Sequence, residues 1–128
     1  SYHRHHRHTE YLLQHTDLAG LSERERVLVA RIARFHRRSA PDLDHEALED
    51  LPTGDAQMVR RLATILRVAD SLDRSHRQPI TRVRASTRPG VVTLRIGARG
   101  PIDLELWDLE REAALFRRVF GRRLVVKV

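Results

Sequence analysis

Three side chains have the chemistry of a divalent-metal site: His8, His36 and Asp70. Each falls on a separate predicted helix, near its apolar side. Two imidazoles and a carboxylate converging between helices are a ligand set for a divalent cation. Each residue also has a plainer role. A histidine on the flank of a helix is commonly held by hydrogen bonds alone. Asp70 has Arg67 and Arg74 three and four residues away on its own helix, at ion-pairing distance.

The second chemical set is arginine. Arg34, Arg37 and Arg38 end one predicted helix, Arg67, Arg74 and Arg77 lie on another, and Arg4 and Arg7 begin the chain. A guanidinium makes planar, paired hydrogen bonds to phosphate oxygens, so converging arginines would form a groove for a polyanion. Cations at helix C-termini also complement the macrodipole with no ligand involved. The formal net charge is +7, and Lys127 is the one lysine. Aromatic residues make up 5% of the chain, which argues against base stacking and against nucleic acid as the partner.

Other chemistries are excluded by composition. There is no cysteine, hence no disulfide, thiolate ligand or thiol nucleophile, and this fits a cytoplasmic protein. No P-loop, dinucleotide fingerprint, nucleophile elbow or H-E-x-x-H motif is present. No apolar run approaches about 18 residues, so no membrane span is expected.

The elements that would position these side chains can be read from periodicity. Residues 1–16 read as a helix with hydrophilic first turns. Gly20 ends it, and Ser22 with Glu25 forms a capping-box pattern for the next helix, expected over residues 23–38. Leu28, Ile32 and Phe35 form its apolar row, with His36 beside it. Residues 39–57 hold six acids and no basic residue, and read as a loop with a short helix near His45–Asp50. The most regular helix follows over residues 58–76, capped by Thr53 or Asp55, with Val59, Leu62, Leu66, Ala69 and Leu72 as its stripe. Asp73, three residues after Asp70, is expected to pair with a neighbouring arginine. Pro79 ends the helical half.

From Ile80 the period becomes two. Strands are expected around Val83–Ala85 and Val91–Ile96, joined by a turn at Arg88-Pro89-Gly90. Ile102, Leu104 and Leu106 alternate as a third strand. Leu109, Ala113, Phe116 and Phe120 give a helical row that Gly121 stops, and residues 124–128 form a last strand. The chain is thus expected to be α+β: a helical bundle over about residues 1–78, then a small β-β-β-α-β unit over 79–128.

Several blocks resemble a known family. His-Arg-His-Thr-Glu-Tyr-Leu-Leu (6–13), Asp-Leu-Ala-Gly-Leu (17–21), Ile-Ala-Arg-Phe-His-Arg-Arg (32–38) and Leu-Arg-Val-Ala-Asp-Ser-Leu-Asp-Arg (66–74) resemble, in order and spacing, the carboxyl-terminal region of the exopolyphosphatase / guanosine pentaphosphate phosphatase (Ppx/GppA) family. Leu-Glu-Leu-Trp-Asp-Leu-Glu (104–110) and Leu-Phe-Arg-Arg-Val-Phe-Gly (115–121) fit the same pattern. The resemblance implies an HD-like helical domain in which His8, His36 and Asp70 match late metal-ligand positions, with magnesium or manganese as the family's metals. The His-Asp dyad of that superfamily is absent, Asp44-His45 being in reverse order. Family chemistry is attributed to actin-like domains, which nothing here resembles; the chain opens inside a motif and reads as part of a longer protein.

The leading expectation is therefore a non-catalytic, polyanion-binding and dimerising module of an exopolyphosphatase-type phosphatase. Polyphosphate or a guanosine polyphosphate would be its ligand, with Arg34, Arg37, Arg38, Arg67 and Arg74 as phosphate contacts. The rival is a metal-dependent HD-type phosphohydrolase completed by helices outside this sequence.

Overall fold

The computed structural model describes residues 10–12, 20–36, 39–42 and 45–128. Residues 10–12 are helical and are labelled α1. Then follow α2 (Glu23–Arg34), α3 (Glu46–Glu49), α4 (Thr53–Leu72), β1 (Ile80–Arg88), β2 (Val91–Ala98), α5 (Asp103–Phe120) and β3 (Arg123–Lys127). The chain is mixed α+β and divides into two compact units, Ser1–Arg67 and Val68–Val128.

In the first unit, α2 begins at the expected capping box. The Ser22 hydroxyl accepts from the Glu25 amide at 3.1 Å, and the Glu25 carboxylate accepts from the Ser22 amide at 3.0 Å. Two otherwise orphaned helix-end donors are thereby satisfied. The helix closes at Arg34, short of the expected Arg38, with Phe35 as its cap. His45 caps α3, its ring nitrogen accepting from the Ala47 amide at 3.0 Å. Its ring also meets the edge of Phe35, centroid to centroid 4.9 Å. Leu28, Phe35, Ala47, Leu48, Ala56, Val59 and Ala63 form the core, with Ile32 and Leu51 packed on it.

The central helix runs over Thr53–Leu72, earlier at both ends than expected. Its buried face also differs. Val59 is fully buried, but Leu62 and Leu66 are 44% and 38% exposed, and Ala69 is exposed too. The buried positions are Ala56, Val59, Ala63, Thr64, Val68 and Ser71. This helix is apolar on two sides, and the side carrying its small residues is the one that packs closely. The larger leucines suggested a stripe on the other side.

The second unit holds a three-stranded sheet in the order β1-β2-β3. β1 and β2 form an antiparallel hairpin around Gly90, whose φ of 77° lies in the left-handed region that glycine enters freely. β2 and β3 are parallel, so the chain must cross over between them, and α5 makes that crossing. The strand expected over 102–106 is instead the start of this helix. Ile102, Leu106, Leu109, Ala113, Phe116 and Phe120 recur at alternating steps of four and three, which is the helical period. Leu104 is 47% exposed because it lies off that row. Asp103 and Glu105 in the first turn favour the helix through the macrodipole. The unit is therefore β-β-α-β. Val68, Leu94, Ile96, Ile102, Leu109 and Phe116 form its core, joined by Leu72, Val92, Leu124 and Val126. Gly121 (φ 65°) ends α5 as expected, its amide donating to the Arg117 carbonyl at 2.8 Å.

Candidate functional site

Of the metal trio, His8 lies outside the described residues. His36 follows the C-cap of α2, its Nδ1 against the Ala33 carbonyl. Asp70 is half-buried on α4 in the second unit. Among the described residues no group of three or more His, Cys, Asp or Glu is placed to hold a metal ion.

Three of the five expected phosphate contacts can be placed; Arg37 and Arg38 lie outside the described residues. Arg34 pairs with Glu10 at 3.3 Å and Glu46 at 3.4 Å. Arg67 donates from Nη1 to the carbonyls of Phe35 and Ser39, both at 3.1 Å, and so ties the end of α2 to α4. Arg74 stands 3.9 Å from the buried Asp108. Nearby Arg31 makes a two-pronged bond to Asp50, at 2.8 and 3.1 Å, and this pair holds the Asp50 carboxyl below its usual range. These guanidiniums serve the fold, with acids and carbonyls of their own unit as partners. Asp73 meets the ring of His76 at 3.4 Å, where an arginine partner was expected.

Two acids of α5 are buried, Glu105 at 1% and Asp108 at 8% exposure. A buried carboxylate needs hydrogen-bond donors. Asp108 accepts from the Ser71 hydroxyl at 2.8 Å, and Glu105 from the Ser75 amide at 2.7 Å. Burial pushes the Glu105 carboxyl up, but the hydroxyl and amide of Ser75 and its own backbone together outweigh it, leaving the group below the usual glutamate range. Both acids thus clamp α5 to the end of α4 and the segment that follows.

A strongly charged surface lies on the sheet of the second unit. Val92, Leu94, Ile96, Leu124 and Val126 belong to the core beneath α5, so alternation puts Arg95 and Lys127 on the opposite face. Register carries Arg82, Arg84 and Arg88 of β1 and Arg123 of β3 to that same face. No carboxylate occurs in any of the three strands. Arg84 is directly opposite Arg95, and Arg95 directly opposite Lys127, a row of three cations across the sheet. With Arg82 and Gly97 they border an open depression of about 320 Å³. Among the described residues none of these four cations has an ion-pair partner.

None of Arg82, Arg84, Arg95 and Lys127 is among the phosphate contacts expected from sequence. The signal for them was the alternation Arg82-Val83-Arg84-Ala85, but the row exists only once β1, β2 and β3 are aligned, and pairing register is not written in any one strand. No helix among the described residues is long and apolar enough to cross a membrane. The family model described as Ppx/GppA phosphatase, domain III, matches residues 1–113.

Proposed function

Because the chain belongs to the Ppx/GppA phosphatase family, as its domain III, we propose that it is the polyanion-binding and dimerising module of an exopolyphosphatase-related protein, HD-like in its helical part and without catalysis of its own. One observation carries the binding role: charge is segregated. From Arg74 to Ile102 the chain holds seven arginines and no acid, and the acids of the second unit sit on its helices and in the turn that follows α4. A surface of exposed cations without acidic neighbours attracts a polyanion and releases counterions when it binds. The buried acids Glu105 and Asp108 are already occupied by Ser75 and Ser71, which suits a structural part for them.

The dimerising role draws support from α4. Met58, Leu62, Ile65 and Leu66 are 43%, 44%, 50% and 38% exposed and lie along one side of the helix. An apolar stripe of this kind fits against a second copy of itself. Ile65→Arg is expected to shift the chain toward monomer in light scattering.

The binding proposal is tested with the chain alone. Fluorescent inorganic polyphosphate should bind it with an affinity that falls steeply with salt, while phosphate release from polyphosphate or a guanosine polyphosphate, with magnesium or manganese supplied, should stay at background. Robust release by this chain would sink the non-catalytic reading, and salt-insensitive or absent binding the polyanion reading.

A further inference from the structure

We infer that the phosphate chain is seated on the outer face of the sheet, on Arg82, Arg84, Arg95 and Lys127, and not on the helical arginines. This rests on the proposed polyanion-binding role and locates it. The first ground is partnership. Arg34 and Arg67, which sequence reading favoured, are bound to Glu10, Glu46 and two carbonyls, so an anion would have to displace them. The four sheet cations have no such competitor among the described residues.

The second ground is the register. Like charges directly opposite on a sheet are destabilising, yet Arg84, Arg95 and Lys127 stand side by side across three strands. At roughly 4.8 Å between strands, such a row repels itself, and an anion lying on it would relieve that repulsion. The third ground is Gly97. A Cβ there would meet the Arg82 side chain, its Cβ at 3.4 Å and its Nε at 3.7 Å. Arg82 therefore lies along the glycine and borders the depression beside Arg95 and Lys127.

The occupant is a chain of phosphates without bases. The strand residues of this face are Arg, Lys, Ser, Thr, Val and Gly, with no aromatic ring on which a base could stack. What they offer is donors and positive charge, which a phosphate chain can use along its whole length. Four cations match a stretch of about four phosphates, one charge to each.

The test compares two triple variants of the 128-residue chain that lose the same charge. One is Arg84→Gln, Arg95→Gln and Lys127→Gln on the sheet. The other is Arg61→Gln, Arg111→Gln and Arg117→Gln, at exposed positions on the helices. Polyphosphate affinity is measured by anisotropy at several salt concentrations, with folding checked by circular dichroism. The sheet triple should bind at least about tenfold more weakly, with the salt slope reduced by roughly two, while the matched triple stays within about threefold of the parent. The single variant Arg95→Lys, which keeps the charge and cannot be blamed on misfolding, should bind within about threefold of the parent, and Arg95→Gln alone measurably more weakly. Equal loss in both triples overturns the location and leaves the polyanion role standing. No binding by the parent chain overturns both. Single-stranded DNA of equal phosphate number binding as tightly, and as sensitively to the sheet triple, overturns the assignment to a base-free chain.

Discussion

Arg67 is a residue whose structural part can be separated from any part in binding. Its guanidinium satisfies the carbonyls of Phe35 and Ser39 at a helix end. Arg67→Ala would leave the part-buried Phe35 carbonyl without this donor, so a loss of about 1–3 kcal/mol of stability is expected in chemical denaturation. A stable Arg67→Ala would show that the carbonyls are served otherwise. Ser71→Ala is expected to cost a similar amount, roughly 1–3 kcal/mol, because the buried Asp108 loses its hydroxyl donor. Glu105 gives a pH signature. Its carboxyl is held below the ordinary value of 4.5, so its contribution is complete above that pH and is lost as pH falls through the lowered value. Melting temperatures of the parent and of Glu105→Gln should therefore converge as pH drops from 6 toward 3. A gap that stays constant over that range would count against the Ser75 clamp.

At the scale of elements, α5 decides how the second unit is built. If Ile102, Leu104 and Leu106 formed a strand, all three would share one face and be alike in sensitivity. In the helix they are not. Leu104→Ala should cost under about 0.5 kcal/mol, whereas Leu109→Ala, at a position 2% exposed, should cost about 2–5 kcal/mol. Comparable losses at Leu104 and Leu109 would falsify the helical start. The same elements show what the sequence could reveal. The Ser22–Glu25 capping box, the turn at Gly90 and the stop at Gly121 are local chemistry, and each appears where its residue types placed it. The faces of α4 and the start of α5 depend on what packs against them. Alternation over three apolar residues fits either period, and small buried residues such as Ala63 and Thr64 carry little signal beside Leu62 and Leu66. The arginines were counted correctly but could not be ranked, because the carboxylates that occupy Arg31 and Arg34 come from Glu10, Glu46 and Asp50, distant in sequence.

For the molecule as a whole, the excess of +7 is unevenly held: acids on helices and loops, cations alone on the strands. An ensemble of like charges held close together opposes folding, and mobile ions relieve that opposition over a Debye length of about 10 Å at 0.1 M salt. Raising sodium chloride from 10 to 300 mM should therefore raise the melting temperature, against the loss expected if exposed pairs such as Arg24–Asp55 dominated. An anion that binds the folded chain adds a further rise by mass action, set by its concentration relative to its dissociation constant. Polyphosphate at micromolar concentration should thus stabilise the chain more than sodium chloride of equal ionic strength does. In the variant carrying Arg84→Gln, Arg95→Gln and Lys127→Gln, the polyphosphate increment should largely disappear, while the melting temperature without ligand is equal or higher because the opposed cations are gone. If that variant melts well below the parent in the absence of any anion, the sheet cations contribute to the fold, and their alignment needs no ligand to explain it.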